Sequence, residues 1–481
     1  MVLKGEVMSL KNSILRIFSA NFLSMISGII IGFVVPAILS VESYSFVKTY
    51  AFYISYIGFL HFGFVDGMYI KYGGKSSNEI DKAELKGEHK VFLLMQAIVT
   101  AIFLIFAFVN NDVIMFLIAL SIIPVNAYSF HQLYYQATGQ FKDYVKVSYV
   151  YTLMYLLLNI FLALIFRSEN KIFYCLTTLV ANGMAFLFLE YRFYKSTRGI
   201  KAKYDLKALK NVKVGFFILL GNLSVMMFYA IDRWFIKLFF DVDSFAYYSF
   251  AISMLNIINL LVSAVSVTFY NYLSKGEKEE EVKKLKNAFL ILGGFASLGY
   301  FAFAAIVSIM IKKYIPALNI IAISFAAYPY MIVINALYVN LYKARKNEKR
   351  YVKVVFFMVL ISAIYNTVAM FISKTPEAIA VATTLAFITW YIYSIKDFGY
   401  LTITKKEFIY LLVLIVSFLT LSNNFSWLVG GLAYLTILII LNFITFNKEI
   451  KELLKALKIK KKLKLEMLLL ENVIRYYNLL M

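Results

Sequence analysis

The sequence predicts an all-α polytopic membrane protein with about fourteen transmembrane helices, and two observations carry this prediction. First, 62% of the 481 residues are hydrophobic and only 16% are charged, whereas soluble domains carry about 25% charged residues. Second, apolar stretches long enough to cross a bilayer recur from one end of the chain to the other. The polar stretches between them are short, so the net charge of +22 is better explained by membrane topology than by nucleic-acid binding.

The distribution of basic residues predicts how these helices are oriented. Lys and Arg concentrate in cytoplasmic loops of membrane proteins. Of the 49 Lys and Arg residues, 41 fall in alternate segments that begin with the N-terminus and end with the C-terminus. Both termini are therefore predicted to be cytoplasmic. The predicted spans cover residues 13–39, 44–71, 90–109, 113–138, 147–166, 172–191, 214–240, 244–272, 287–311, 317–342, 354–373, 377–395, 407–422 and 426–446.

Two pairs of similar segments indicate an internal repeat. Residues 41–47, VESYSFV, resemble residues 242–248, VDSFAYY, at an offset of 201. Residues 135–147, YQATGQFKDYVKV, resemble residues 342–354, YKARKNEKRYVKV, at an offset of 207. These matches predict two six-helix lobes of the same orientation, and parallel repeats of this kind hold substrate between them.

The repeat predicts a chain with five parts. The tail combines an apolar spacing with a basic face, which is typical of a helix lying on anionic lipids, and a solvated, loosely ordered tail is the alternative. The predicted parts are an N-terminal lobe over 1–191, a basic cytoplasmic linker over 192–213, a C-terminal lobe over 214–396, two extra transmembrane helices over 397–446 and the basic amphipathic cytoplasmic tail over 447–481.

Two prolines lie in equivalent spans of the two predicted lobes. Pro124 is in the middle of the fourth span and Pro329 in the middle of the tenth. Proline removes a backbone hydrogen bond and bends a helix. Each is therefore interpreted as a hinge for alternating access or as a static kink that helps packing.

The stretch HFGFVDGMYIKYGGK, residues 61–75, places ionisable groups inside the second span. Buried charge is costly unless it is paired or faces water or a ligand. Asp66 is therefore interpreted as a cavity-lining carboxylate for proton or Na⁺ coupling, or as the partner of a lysine such as Lys71. An unbroken helix would place Lys48 and Asp66 on one stripe, with His61 well away from it. His61 is a candidate for substrate binding, and a hydrogen bond inside the bundle is the alternative.

The seventh span carries Asp232, Arg233 and Lys237 in its outer third. A guanidinium binds phosphate through paired hydrogen bonds, so Arg233 is predicted to contact an anionic headgroup in a central cavity. Snorkelling to the interface is the alternative, and it is the stronger interpretation for Lys237. Arg16 in the first span has the same two interpretations, and Asp232 is a second candidate for ion coupling.

Other polar groups complete the predicted site. Lys48 and Asn222 are candidates for substrate binding, although an asparagine in a span also forms interhelical hydrogen bonds. His131 is a weaker candidate for the same site. The sequence shows no Walker loop, metal-ligand cluster or nucleophile elbow. We therefore expect a transporter without a metal or cofactor, driven by a gradient or the membrane potential, rather than an enzyme.

Residues 19–75 resemble the polysaccharide transport family of bacterial flippases, the Wzx-like translocases of O-antigen and capsular repeat units. This family belongs to the multidrug/oligosaccharidyl-lipid/polysaccharide exporter superfamily, whose two six-helix lobes agree with the predicted plan. The residues that carry the resemblance are Gly63, Asp66, Gly67, Tyr72 and Gly73, after a turn that contains Leu39, Ser40, Glu42 and Tyr44.

The resemblance implies a function in polysaccharide biosynthesis at the bacterial inner membrane. Such proteins carry an undecaprenyl-diphosphate-linked oligosaccharide from the inner to the outer leaflet. By this resemblance, Arg16 and Arg233 are the residues expected to bind the diphosphate. The expected partners are membrane lipids, a polysaccharide polymerase and a chain-length regulator, and a monomer is expected. The alternatives are a multidrug or cation antiporter of the same fold, a lipid II flippase and, against the very short outer turns, a membrane polysaccharide polymerase.

Overall fold

A computed structural model of the protein describes the backbone of residues 2–204, 206–273, 276 and 278–451. The side chains are described over the same ranges except at 2–18, 206–207, 260–261 and 263–272. The side chain of Arg16 therefore lies outside the described residues. Most of the predicted tail over 447–481 lies outside them as well.

The described residues form nineteen α-helices joined by turns and short 3₁₀ or π segments, and they contain no β-strand. The first ten are α1 Val2–Ile38, α2 Val41–Ile54, α3 Phe64–Tyr72, α4 Lys82–Asn110, α5 Val113–Ala137, α6 Phe141–Ile160, α7 Lys171–Ser196, α8 Lys210–Phe228, α9 Ile231–Phe239 and α10 Val242–Leu273. The others are α11 Glu279–Ser297, α12 Gly299–Met310, α13 Ala317–Phe325, α14 Tyr328–Val333, α15 Val339–Ala344, α16 Glu348–Ile372, α17 Pro376–Ser394, α18 Lys405–Asn424 and α19 Trp427–Thr445.

The helices of the described chain are those of a multi-pass membrane protein. Eleven helical segments are long and apolar enough to cross a membrane, and a bent pair, Ala317–Phe325 with Tyr328–Ala344, raises the number to twelve. Large apolar side chains stay on the outside of these helices: Phe371 is 88% exposed and Val109 is 76% exposed. Lipid tails solvate such side chains, while the backbone is satisfied inside each helix. Fourteen spans and cytoplasmic termini stay predictions.

The described chain forms two compact units. The first extends up to Leu260 and also contains Val307–Ile320 and Lys349–Thr383. The second contains Leu261–Ile306, Ile321–Glu348 and the described residues from Thr384 onward. The division into two six-helix lobes, a linker and two extra helices stays a prediction.

The first pair of similar segments marks two helix starts with the same kind of cap. α2 begins at Val41 and α10 at Val242, which is the offset of 201 seen in the sequence. The side chains of Ser40 and Asp241, each just before its helix, accept hydrogen bonds from the backbone N–H three residues later, at 3.1 and 2.8 Å. These bonds satisfy N–H groups that have no partner inside the helix.

The second pair of similar segments marks two helix–turn–helix connections of the same length. α15 ends 207 residues after α5 ends, and α16 begins 207 residues after α6 begins. The left-handed backbone position of each turn is also equivalent, with φ of 69° at Gly139 and 53° at Lys346. A residue other than glycine adopts this conformation at a cost of about 1–2 kcal/mol, so the turn at Lys346 is held by its flanking helices.

The second predicted span, residues 44–71, is broken, and the prediction of a continuous helix was wrong. α2 ends at Ile54, and a 3₁₀ turn over Ile57–His61 separates it from α3. Phe62 and Gly63 have φ of 52° and 84°, in the left-handed region that ends a right-handed helix. The stripe predicted from Lys48 to Asp66 is therefore absent, because no single helical register joins them.

A close crossing of α3 and α8 within the first unit explains two glycines of the motif. A Cβ atom on Gly67 would lie 2.0 Å from the carbonyl oxygen of Asn211. A Cβ atom on Gly215 in α8 would lie 1.9 Å from the carbonyl oxygen of Gly63. Only glycine allows two helix backbones to approach this closely. Gly63 and Gly67 therefore serve the packing of the first unit.

The two prolines have different settings. α5 continues through Pro124, so this residue lies inside one unbroken helix. Pro329 lies in the first turn of α14, next to a bend of 48° between α13 and the segment that begins with α14. Proline fits a first helical turn because its missing N–H has no intrahelical acceptor there. A hinge role for either residue stays a prediction.

Candidate anion-binding site

The basic residues of the seventh predicted span, residues 214–240, lie on a short helix of their own. α8 ends at Phe228 and α9 starts at Ile231, so the predicted continuous helix was wrong here as well. Asp232 and Arg233 occupy the first turn of α9. Lys237 follows four residues after Arg233, which places both cations on one face of α9. That face contacts α2 in the first unit.

Arg233 has few partners for its charge. Its guanidinium carbon lies 4.9 Å from the ring centre of Phe52 in α2. One nitrogen, Nη2, donates a long hydrogen bond of 3.4 Å to the carbonyl oxygen of Tyr229. The buried Nε has no hydrogen-bond partner among the described residues. Most of the five donors of this half-buried side chain therefore remain free for a ligand.

Two lysines join Arg233 with the same kind of partners. Lys237 donates to the hydroxyl of Thr49 at 2.9 Å, and its ammonium nitrogen lies 4.9 Å from the ring centre of Phe245. Lys48 donates to the hydroxyl of Ser253 at 2.8 Å, and its nitrogen lies 5.1 Å from the ring centre of Tyr44. Each lysine thus contacts a neutral oxygen and an aromatic face. We call Lys48, Arg233 and Lys237 the cation cluster.

No described carboxylate lies within 4.0 Å of a side-chain nitrogen of the cation cluster. Asp232 is the neighbour of Arg233 in the chain, but its carboxylate oxygens accept hydrogen bonds from groups other than the Arg233 guanidinium. Its Oδ1 accepts the backbone N–H of Arg233 at 2.7 Å, and its Oδ2 accepts the hydroxyl of Tyr248 at 2.8 Å. Asp232 is buried and ties α9 to α10, and its predicted role in ion coupling stays a prediction.

Aromatic packing holds the cation cluster in place. Trp234 follows Arg233, and its ring centre lies 5.0 Å from that of Phe52 in an edge-to-face arrangement. The indole Nε1 of Trp234 donates to the hydroxyl of Tyr56 at 2.7 Å. Edge-to-face pairs contribute about 0.5–1.5 kcal/mol beyond their buried area. Because these contacts join α9 to the end of α2, the cations are positioned by rigid side chains.

His61 and Asp66 meet each other because the helix between them is broken. Nε2 of His61 lies 3.8 Å from Oδ2 of Asp66, although an unbroken helix would separate the two side chains. Nδ1 of His61 accepts the backbone N–H of Gly63 at 3.1 Å, which leaves Nε2 as the donor that faces Asp66. The buried Oδ2 of Asp66 accepts no hydrogen bond from the described residues.

Lys71 is not the partner of Asp66, so that alternative was wrong. Its ammonium group pairs with Glu84 at 2.7 Å and also with Glu88. Glu88 is buried and accepts further hydrogen bonds from Tyr72 and from Asn211, at 2.7 and 3.2 Å. Lys71 thus joins α3 to α4, and Glu88 extends the network to α8.

Of the residues predicted to bind substrate, the structure brings Lys48 and Arg233 together. Asn222 is exposed on α8 and has no contact with the cation cluster among the described interactions. His61 faces Asp66 instead. Lys237, which sequence reasoning favoured as a snorkelling residue, is the third cation, and its spacing of four from Arg233 was the available signal.

One group of side chains has no counterpart in the sequence analysis. His89, His131 and Glu190 meet although they lie on three different helices. No local spacing joins them, so a motif search does not find them. Of the three residues, the sequence points only to His131.

Comparisons with known proteins define the fold. A scan against protein-family models and a search of curated proteins by sequence found no match. Among solved structures, one described as "Lipid II flippase MurJ, inward closed conformation" matches with a TM-score of 0.67 and 15% identity. The match covers 91% of this chain and 99% of that one.

A second solved structure is described as an inward-facing multidrug resistance MATE family transporter of the MOP superfamily. It matches with a TM-score of 0.53 and 11% identity, over 80% of this chain and 99% of that one. The chain therefore shares the fold of these two structures. At these identities the likeness concerns the fold, and the substrate has to be argued from the site.

Proposed function

We propose that the protein is a flippase that carries an undecaprenyl-diphosphate-linked oligosaccharide repeat unit from the inner to the outer leaflet of the bacterial cytoplasmic membrane. The observation that carries this proposal is the cation cluster. Lys48, Arg233 and Lys237 are half-buried, and the described chain offers them no carboxylate within 4.0 Å. A diphosphate supplies several negative charges and many acceptor oxygens in one compact group.

The energetics of the cation cluster favour an anionic ligand. A cation over an aromatic ring gains about 0.5–2 kcal/mol, and a hydrogen bond to a neutral hydroxyl gains about 1 kcal/mol. Removing an ion from water costs several kcal/mol even after the protein relaxes. The contacts of the three half-buried cations, together with the longer-range attraction between Asp232 and Arg233 and between Asp112 and Lys237, offset part of this cost, and a bound anion would offset more of it.

The chemistry of the three side chains suits a diphosphate in particular. The planar guanidinium of Arg233 can donate two parallel hydrogen bonds to one phosphate group. Lys48 and Lys237 act as point charges, and each can exchange its present hydroxyl partner for a phosphate oxygen. In this proposal the cation cluster binds the diphosphate and not the sugar or the lipid tail, so one site serves substrates with different glycans.

Two further observations support the proposal. The fold is shared with a structure described as a lipid II flippase, and residues 19–75 resemble the polysaccharide transport family. Transport by alternating access then requires ion coupling or a substrate gradient. Asp66 is the better placed of the two ion-coupling candidates, because its buried Oδ2 has no hydrogen-bond partner in the described chain. A lipid II flippase uses the same diphosphate chemistry and differs in the glycan.

A multidrug or cation antiporter is the second candidate function. It is favoured by the same free oxygen of Asp66, which is a site for a cation, and by the fold shared with a MATE transporter. The cation cluster counts against it, because three positive charges with no described carboxylate within 4.0 Å repel a cationic drug. A membrane polymerase is the weakest alternative, since α4 and α5 are joined by only Asn111 and Asp112, without room for a catalytic loop.

The deciding experiment measures undecaprenyl diphosphate binding by the purified protein in detergent. We expect Arg233→Gln and Lys48→Met to weaken binding by about 10–100-fold each, because each removes a charged hydrogen bond worth about 1.5–3 kcal/mol. Lys90→Met is the matched control. Lys90 also donates to a hydroxyl, that of Tyr204 at 2.8 Å, and its ammonium group lies over the Tyr204 ring. Unlike the cation cluster, Lys90 is exposed.

Deletion of the gene tests the same proposal in cells. Lipid-linked oligosaccharide should accumulate in the membrane lipids, as measured by mass spectrometry, and the accumulated glycan identifies the cargo. The Arg233→Gln protein should fail to restore surface polysaccharide at a normal protein level. Unchanged lipid-linked sugars together with increased drug sensitivity would favour the antiporter instead.

A further inference from the structure

Two of the chain's three histidines converge on one carboxylate in the first unit. His89 lies near the start of α4, His131 near the end of α5 and Glu190 near the end of α7. Nε2 of His89 and Nε2 of His131 each lie 2.9 Å from Oε1 of Glu190. Three helices therefore contribute one side chain each to a single point.

The surroundings of this cluster are apolar on the histidine side. The side chains of His89 and His131 are 4% and 2% exposed, whereas that of Glu190 is 24% exposed. Phe130 and Phe193 pack against the His89 imidazole, with ring centres 5.2 and 4.5 Å away. Glu190 is therefore the most accessible of the three side chains.

The Glu190 carboxylate lacks a fixed counter-charge. In the part of the chain that the structure describes, no lysine or arginine lies within 4.0 Å of it. Arg192, the nearest cation in sequence, pairs with Asp143 at 2.7 Å. A partly buried carboxylate loses part of its hydration, and a positive partner would offset that cost. The two imidazoles supply hydrogen bonds, and a bound cation would supply the missing charge.

The three donor atoms have the composition and spacing of a metal site. All lie within 4.8 Å of one another. Zn²⁺ binds imidazole nitrogen and carboxylate oxygen at about 2.0–2.2 Å, which places two ligands of a tetrahedral ion about 3.4 Å apart. Each nitrogen–oxygen separation would have to widen by about half an ångström to admit the ion. Side-chain rotation provides such a change without movement of the helices.

We propose that His89, His131 and Glu190 bind a divalent transition-metal ion, with Zn²⁺ as the best match to two imidazoles and one carboxylate. Mg²⁺ and Ca²⁺ are disfavoured because they select oxygen-only sites. Three protein ligands leave the fourth position of a tetrahedral ion open to water or to another ligand. The ion links α4, α5 and α7, so it holds these three helices at the end where α4 begins and α5 and α7 finish.

Metal titration of the purified, tag-free and chelator-treated protein tests this site. Co²⁺ serves as the optical probe, because four-coordinate Co²⁺ absorbs visible light strongly, and Zn²⁺ is then added as the competitor. We expect one equivalent of Co²⁺ to bind and to be displaced by Zn²⁺. Glu190→Gln and His131→Asn should each weaken binding by about 100-fold or more, because each removes a direct ligand.

The third histidine provides the matched control. His61 faces a single carboxylate at 3.8 Å, so His61→Asn should leave metal binding unchanged. Glu190→Gln retains an oxygen that accepts from both imidazoles, so this variant should keep its metal-free unfolding temperature, and Zn²⁺ should raise that temperature in the wild type only. Absence of stoichiometric binding to the wild type, or full binding in Glu190→Gln and His131→Asn, would overturn the proposal.

Discussion

Two regions of the molecule, one in each compact unit, differ in how their buried charges are paired. In the second unit, Lys286 and Glu407 form an ion pair at 2.8 Å whose side chains are only 3% and 5% exposed. Lys286 also donates to the carbonyl oxygen of Leu401 at 2.9 Å, and Tyr391 donates to Glu407. In the first unit, Lys48, Arg233 and Lys237 are half-buried and contact neutral oxygens and aromatic rings.

This difference separates charges that hold the fold together from charges that await a ligand. A paired charge with all its donors satisfied contributes to architecture, and removing one partner leaves the other buried alone. An uncompensated charge contributes little to stability, so its presence in a membrane protein needs a functional reason. Substitution in the second unit should therefore act on stability, and substitution in the cation cluster should act on binding.

The largest expected effect is on the stability of the buried pair. Lys286→Met leaves the Glu407 carboxylate without its cation, so we expect a loss of about 3–5 kcal/mol in the free energy of unfolding. The double variant Lys286→Met with Glu407→Met should lose much less, because no unpaired charge remains. Thermal and denaturant unfolding in detergent micelles measures both, and the double-mutant cycle gives the coupling energy.

An exposed pair on the same helix is the control for this prediction. Lys278 and Glu281 lie 3.4 Å apart at the start of α11, and their side chains are 78% and 43% exposed. Lys278→Met should change stability by at most about 1 kcal/mol, because water screens such pairs. Equal losses for Lys278→Met and Lys286→Met would contradict the view that burial decides the role of a charge.

The next largest expected effect on stability is in the first unit, where one lysine pairs with two carboxylates of different exposure. Lys71 is shared by two carboxylates, one 43% exposed on Glu84 and one 4% exposed on Glu88. Glu88→Gln should cost about 2 kcal/mol, because Glu88 also accepts from Tyr72 and Asn211 and holds α3 against α8.

Glu84→Gln, at the same lysine, is the matched control. Its cost should be about 0.5 kcal/mol and should fall further in high salt, because the pair is partly exposed and Glu88 still neutralises Lys71. Chemical unfolding of both variants at low and high ionic strength gives the ratio of their losses in unfolding free energy. If Glu84→Gln costs as much as Glu88→Gln, then proximity rather than burial sets the strength of these pairs.

Composition and periodicity were sufficient to predict an all-helical membrane protein, because hydrophobic length is a strong signal. They failed to locate the breaks in the second and seventh spans. The apolar pattern continues through Phe62 and Gly63, although α2 ends at Ile54 and the backbone is left-handed at these two residues. The sequence match at 242–248 did locate a real helix start, since α10 begins at Val242.

The candidate site was partly accessible from sequence for a similar reason. Lys48 and Arg233 stood out because charges are rare in apolar runs. Their mutual proximity depends on α9 being a separate helix that packs on α2, and no residue spacing encodes that contact. The pairing of His61 with Asp66 depends on the same kind of break, so periodicity pointed to Lys71 instead.

A change in stability smaller than those at the two buried ion pairs is expected when a charge is added to the cation cluster rather than removed. Ser253 lies 2.8 Å from the ammonium nitrogen of Lys48, so Ser253→Asp places a carboxylate beside the cluster. We expect stability to rise by about 1 kcal/mol, as for a partly exposed ion pair. Undecaprenyl diphosphate binding should weaken by at least about tenfold, because the new carboxylate repels the phosphates and occupies Lys48.

Ser253→Asn separates charge from size in this test. Asparagine has nearly the volume of aspartate and still offers Lys48 an oxygen, so it should leave both stability and binding close to the wild-type values. Opposite shifts in stability and binding in Ser253→Asp alone would mean that the cluster lacks an anion and is built to receive one. If Ser253→Asp binds the lipid as tightly as the wild type, the cations are satisfied by their present contacts and the diphosphate binds elsewhere.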